Sequence, residues 1–125
     1  MSIYPTFHFR DAKAAIGFLE RAFGFERRQV HEGDDGKIVH AELAFGDGLI
    51  MLGDARDTEW AQLAPPPGSG STYVAVDDVD ALHERARSAG AEIVYGPRDQ
   101  DYGSRDFTAR DPEGNLWSFG TYRPT

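Results

Sequence analysis

The chain has no cysteine among its 125 residues. That removes disulfides, thiolate metal sites and thiol nucleophiles together. Cations are scarce as well: 13 Lys and Arg stand against 21 Asp and Glu, for a net charge of −8. Such a field repels polyanions, and no basic cluster offsets it, so nucleic acid is not an expected partner. No apolar run approaches the length that crosses a membrane, and Met1–Ser2–Ile3–Tyr4–Pro5 lacks the charged-then-apolar pattern of a leader. A soluble, cytoplasmic protein without a membrane partner is the expectation. There is no Gly-x-Ser-x-Gly elbow, and Ser104 and Ser118 lack an evident base, so nucleophilic catalysis has no support. The glycines at 46, 48, 68 and 70 sit in turn and linker settings and do not make a dinucleotide loop.

What is present is organised around a hairpin near the end of the chain. Asp111–Pro112–Glu113–Gly114 has the chemistry of a type I turn: Asp leads, Pro fixes φ at the second position and Gly relaxes the fourth. Alternation along the second arm puts Trp117 and Phe119 on one face, with Leu116, Ser118 and Gly120 on the other. The first of these faces calls for a covering helix. The second is small and polar, and leaves room for a ligand.

The chain from its start gives strand, helix and three strands. Tyr4, Thr6 and His8 alternate with Ile3, Phe7 and Phe9, with Pro5 marking a strand start or an edge. Asp11 caps a helix reaching about Phe23, stopped by Gly24, and strands follow over Glu26–His31, Ile38–Phe45 and Leu49–Leu52. Residues 54–70, with three consecutive prolines, read as a linker. The order then repeats: a strand over Thr72–Val76, a helix capped by Asp77 or Asp78 and closed by Gly90, a strand over Ala91–Tyr95, and the hairpin. Asp11 with Asp78, Ala14 with Ala81, Gly24 with Gly90, Glu26 with Glu92 and Leu49 with Leu116 all match at an offset of 66 or 67 residues. A duplicated βαβββ unit accounts for all five. The predicted fold is therefore α+β: a single domain over 1–125, built of two tandem βαβββ modules (about 1–53 and 71–125) that form a curved mixed sheet around a cleft. Each unit alone is too small to bury an adequate core, so two must combine, within one chain or between two.

The duplicated units, the Val76–Asp77–Asp78–Val79–Asp80–Ala81–Leu82 helix start and the Asp111–Pro112–Glu113–Gly114–Asn115 turn resemble the vicinal oxygen chelate superfamily. That group includes glyoxalase I, extradiol dioxygenases and the fosfomycin and bleomycin resistance proteins. The resemblance implies a cup-shaped cavity, usually within a homodimer. In the metal enzymes of that superfamily the ligands come from the first and last strands of each unit. Transferred by position, they fall on Tyr4, Met51, Ser71 and Ser118. Divalent metals need imidazole, carboxylate or thiolate donors, and none of these four is one. No metal and no other cofactor is expected on that ground.

Other residues remain as candidates. His8, His40 and Glu42 share the composition of a facial triad, at spacings and positions unlike the superfamily's ligands. They leave open a glyoxalase- or dioxygenase-like enzyme with a displaced metal site, or acid–base chemistry without metal. Tyr4, Trp60, Tyr73 and Tyr102 offer flat apolar contacts, with His8, His40, Glu42, Arg105 and Ser118 as polar anchors and Met51 in the same wall. Tyr73 and Trp60 serve equally as filling for a core or a dimer interface. Arg105 either pairs with a surface acid or clamps a ligand carboxylate or phosphate. His31 and His83 read as surface residues. The leading expectation is a metal-independent binder similar to the bleomycin resistance branch, a homodimer sequestering an aromatic or amphipathic, antibiotic-like small molecule, with no catalytic residue assigned.

Overall fold

A computed structural model describes all of residues 1–125. The first half forms β1 (Thr6–Phe9), α1 (Ala12–Phe18), β2 (Glu26–Glu32), β3 (Ile38–Phe45) and β4 (Gly48–Asp54). The second half forms β5 (Ser71–Ala75), α3 (Val79–Ser88), β6 (Glu92–Asp99), β7 (Arg105–Arg110) and β8 (Leu116–Gly120). Each set of four strands makes its own mixed sheet, in the order β1-β4-β3-β2 and β5-β8-β7-β6. In both sheets the first strand runs parallel to the last, and the other pairs are antiparallel. No helix is long and apolar enough to cross a membrane.

The helix starts follow from the caps. Asp11 accepts a hydrogen bond from the Ala14 amide at 3.1 Å, and Asp78 accepts one from the Ala81 amide at 3.0 Å. Asp78 is thus the cap, and its neighbour Asp77 pairs instead with Arg123 at 2.6 Å. α1 continues into a π-helical turn over Leu19–Phe23 before Gly24 ends it in the left-handed region at φ 84°. The predicted type I turn closes through the Gly114 amide, which donates to the Asp111 carbonyl at 3.0 Å.

Three expectations about elements need correction. Residues 54–70 are not all linker: α2 (Glu59–Leu63) forms there, with Thr58 accepting from the Ala61 amide at 3.1 Å. β1 begins at Thr6, so Tyr4 precedes it. β6 continues past Tyr95 to Asp99, and register shifts on either side of Tyr95 allow it to carry Gly96 and Pro97.

Both sheets turn their apolar faces toward the helices and feed one cluster. Phe7, Phe9, Phe23, Phe25, Phe107, Trp117 and Phe119 are all in it, and 22 buried residues make it continuous across the two halves. Trp117 is fully buried and joins the halves directly: its ring lies 5.2 Å from Phe7 and 5.5 Å from Phe25. Two polar ties reinforce the junction. Glu113 accepts from the amides of Arg10 (2.6 Å) and Asp11 (2.9 Å), and the Arg85 guanidinium donates to the carbonyls of Arg21 and Glu20. The opposite face of each sheet is left outside this core.

Candidate functional site

Strand register decides what shares each outer face. In the first sheet Thr6 and Glu42 both pair with Met51, so all three side chains lie on one face. His8 follows Thr6 on that face. The Trp60 ring, delivered by α2, lies 4.7 Å from the His8 ring. The His40 ring is 2.9 Å from a Glu42 carboxylate oxygen, and a small hollow of about 100 Å³ is walled by His8, His40, Met51 and the bulged Val39. A larger cleft of about 260 Å³ runs from His8 and Trp60 along Pro65–Pro67 to Ser71 and Asn115. His31 is exposed as expected, but its ring is held by Gln29 at 2.9 Å and stacks 6.4 Å from His40.

The second sheet builds its outer face on the same plan with different side chains. Tyr73 and Thr108 both pair with Ser118, and Asp106 lies on the same side opposite Gly120. The hydroxyls of Thr108 and Ser118 are 2.7 Å apart. Tyr102 donates from its hydroxyl to one Asp106 oxygen at 3.0 Å, and the Gln100 amide donates to the other at 2.9 Å. That hydrogen bond first, and burial second, raise the Tyr102 pKa. Tyr73 donates to the Tyr122 carbonyl at 2.7 Å, and its pKa is raised chiefly by burial, with the Asp106 charge adding to it. Between the sheets an apolar cleft of about 430 Å³ passes Phe25, Phe45, Leu49, Val74 and Trp117 and reaches Tyr73.

The ten candidate residues therefore divide. His8, His40, Glu42, Met51 and Trp60 come together on the first sheet, and Tyr73, Tyr102 and Ser118 on the second. Two fall outside both groups. Tyr4 is half exposed ahead of β1 and lines none of these hollows. Arg105 alternates with Asp106 and so points to the helix side, where it makes a two-pronged bond to Asp80 at 2.9 and 3.0 Å and reaches Asp99 at 3.4 Å. Its guanidinium is occupied, and of its two predicted roles the structure realises the surface pairing. His83 is half-buried against the edge of Phe107 at 5.3 Å, where a surface position was expected. Asp106 and Gln100 were missed by sequence reasoning. The available signal was parity: an acid alternating with Phe107 on a strand whose other face is core.

The four positions that the resemblance assigns to metal ligands do not suit a divalent ion. Met51 and Ser118 occupy matching places in the two sheets, but Tyr4 is outside β1 and Ser71 lies exposed at the first residue of β5. A thioether and neutral hydroxyls are poor donors for such ions in any arrangement. Nor do three or more His, Asp or Glu side chains converge anywhere as a metal-holding group.

Comparison with known proteins agrees with this architecture. The chain is 36% identical over 115 residues to an uncharacterized protein of Mycobacterium bovis, covering 88% of this chain and 76% of that one. Its structure is similar to that of TioX from Micromonospora sp. ML1, with a TM-score of 0.83, 30% identity and coverage of 98% and 100% of the two chains. A glyoxalase/bleomycin resistance protein from Streptomyces sp. CB03234 superposes with a TM-score of 0.72 at 26% identity, over 91% of this chain and 94% of that one. Residues 6–119 match the family model as well, and the chain belongs to the glyoxalase/bleomycin resistance protein/dioxygenase superfamily.

Proposed function

We propose that this protein binds an aromatic or amphipathic, antibiotic-like small molecule without a metal, in a cleft completed by a second copy of the chain. The observation that carries the reading is the division of the site: the polar and aromatic groups sit on the outer faces of two sheets whose inner faces are already spent on one core. No hydrogen bond or ring contact joins the first-sheet group to the second-sheet group. An outer face with half-exposed Trp60, or with Tyr73 and Tyr102, is a wall awaiting its opposite. The first sheet of one copy set against the second sheet of another supplies that opposite, and a C₂ dimer then holds two equivalent clefts. The poor donor set at Tyr4, Met51, Ser71 and Ser118 supports the metal-free part of the reading.

The experiment is sedimentation equilibrium on the full chain together with calorimetric titration of Zn²⁺, Ni²⁺ and Mn²⁺, followed by a thermal-shift screen of planar aromatic compounds. A dimer, no stoichiometric metal, and a compound that raises the unfolding temperature are expected. Stoichiometric metal at micromolar affinity overturns the reading, as does a monomer stabilised by no compound. The second reading is an acid–base enzyme, favoured by the His40–Glu42 hydrogen bond at 2.9 Å. It requires that His40→Ala and Glu42→Ala abolish turnover, whereas a binder loses part of its affinity.

A further inference from the structure

Three carboxylates are buried in this protein, and they are held in different ways. Asp54 accepts from the backbone amides of Ala12 and Ile38, tying a strand to a helix start. Asp111 is saturated: the amides of Glu113 and Asn115, the Asn115 side chain and the Trp117 indole all donate to it. Both are explained by the fold. Asp106 is 5% exposed and, like Asp54, has two neutral donors, but both are side chains of the 100–102 loop rather than backbone amides of the core elements. Two of its roughly four acceptor sites are therefore used.

No cation in the chain serves this carboxylate. Arg105 is bound to Asp80, Arg123 to Asp77 and Arg110 to Glu92. Arg98 sits directly across the strand pair from Asp106, but its guanidinium lies 3.7 Å from the centre of the Tyr95 ring. A tyrosine of this face thus already carries a cation. The other tyrosines stand free: Tyr73 is 40% exposed, Tyr102 63% and Tyr122 49%, with the Tyr102 and Tyr122 rings perpendicular at 6.0 Å. The arrangement is also tightly fitted. A Cβ on Gly120 would come within 2.7 Å of the Tyr73 hydroxyl and 3.0 Å of the Asp106 Cβ, so the absent side chain leaves room for Tyr73 to lie over the acid. A buried carboxylate without an ionic partner, beside partly exposed tyrosine rings, attracts a positive group that is weakly hydrated.

We propose that the outer face of the second sheet is an organic-cation subsite, in which the rings of Tyr73, Tyr102 and Tyr122 hold an alkylammonium group above the Asp106 carboxylate. This names the ligand class for the binding reading above and rests on it. The ligand is an amphipathic molecule carrying a quaternary or tertiary ammonium, whose charge is met by Asp106 and whose apolar part extends toward the apolar cleft beside Tyr73.

The test uses benzyltrimethylammonium as probe, with benzoate and benzyl alcohol as anionic and neutral controls, followed by amide chemical shifts of the full-length protein. The ammonium is expected to shift Tyr73, Tyr102 and Tyr122 saturably, and to bind at least about tenfold more tightly than either control. Asp106→Asn keeps an acceptor for the Tyr102 hydroxyl and is expected to weaken ammonium binding about tenfold while leaving the controls unchanged. Should that variant not fold, Tyr102→Phe and Tyr102→Ala decide: the ring-retaining change stays within about threefold of the parent, and the alanine loses most of the binding. Equal binding of all three probes, or an Asp106→Asn protein that binds the ammonium as the parent does, overturns the cation assignment. A neutral or anionic aromatic that binds in place of the ammonium leaves the small-molecule reading standing. If no probe and no screened compound binds, both fall.

Discussion

The two halves of the chain are alike where they build the fold and unlike where they face outward. Asp11 and Asp78 cap the two helices in the same way. At the far end of each sheet, the residue after the matching glycine accepts from the first amide of the third strand: Asp54 from Ile38 at 2.6 Å, and Thr121 from Arg105 at 3.1 Å. On the outer faces the correspondence turns to contrast. Thr6, Glu42 and Met51 of the first sheet stand where Tyr73, Thr108 and Ser118 stand in the second. The register shift that bulges Val39 aligns His40 with Asp106. One half presents imidazoles, a thioether and the Glu42 carboxylate, the other phenols, small hydroxyls and the Asp106 carboxylate. Duplication preserved what a βαβββ unit needs to fold and released everything else, so the divergence marks the surfaces available for recognition.

The strongest way to break the likeness is through the core that the halves share. Trp117 is fully buried, stacks on Phe7 and meets Phe25 edge-on, both from the first half, and donates its indole hydrogen to Asp111 at 3.0 Å. Trp117→Ala leaves a cavity and removes one of the four donors to Asp111, and costs about 3–5 kcal/mol. Urea unfolding followed by both far-ultraviolet dichroism and tryptophan fluorescence, which in the variant comes from Trp60 alone, checks it. One coincident transition is expected in the parent and in the variant. Separate transitions for the two signals would show that the halves fold independently and that the common cluster is not one core.

A second comparison isolates the outer faces through glycines at matching positions. A Cβ on Gly53 would lie 2.9 Å from the Val39 carbonyl oxygen, which is backbone and can yield only by shifting β3. The Cβ on Gly120 would meet side chains instead, Tyr73 first and the Asp106 Cβ beside it. Gly53→Ala is expected to cost about 1–3 kcal/mol. Gly120→Ala costs less, and part of its cost disappears in a Tyr73→Ala background because the contact with the ring goes while the one with the Asp106 Cβ stays. Thermal unfolding of the two single variants and the double variant measures this. Additive costs in the double variant would mean that Tyr73 does not lie against Gly120.

Helix caps offer the control in which the halves should behave alike. Asp11→Ala and Asp78→Ala each remove one side-chain acceptor from a helix N-terminus, and each is expected to cost about 1 kcal/mol. Their denaturant midpoints should fall by similar amounts. A much larger loss at Asp11 would point to the Glu113 bonds that converge on the same backbone.

These contrasts also separate what the sequence discloses from what it conceals. Caps, turn and inner faces were legible because each is fixed within a few residues: Asp11 three before Ala14, Asp111 three before Gly114, Trp117 and Phe119 at strand parity. The short α2 was concealed because five residues carry no periodicity and the adjacent prolines dominate the composition. Tyr4 was placed on the first strand because its parity is right, whereas the strand begins only after Pro5. Asp106 escaped because its significance depends on the 100–102 loop folding back over it, a contact no spacing rule predicts. Arg105, one residue away, was equally visible in the sequence, and only the register shows that it faces the helix.

The smallest effect sharpens the comparison at a pair that only the second half has. Arg105 holds the Asp80 carboxyl below the usual carboxylate range, chiefly through the hydrogen bond and secondarily through its charge. The matching positions in the first half are Ile38 and Lys13, and Lys13 pairs with Glu32 on a different strand. A carboxyl whose folded pKa lies below its unfolded value of about 3.9 contributes stability above that pH, and the contribution fades as pH falls through the folded pKa. Asp80→Asn should therefore lower the unfolding temperature slightly at pH 6, and the gap from the parent should close below about pH 4. The gap should also shrink in high salt, since both partners are accessible to water. A gap that persists unchanged into acid would mean that Asp80 acts by capping or packing rather than by charge. The one ion pair joining α3 to β7 would then have no electrostatic role in setting the second half apart from the first.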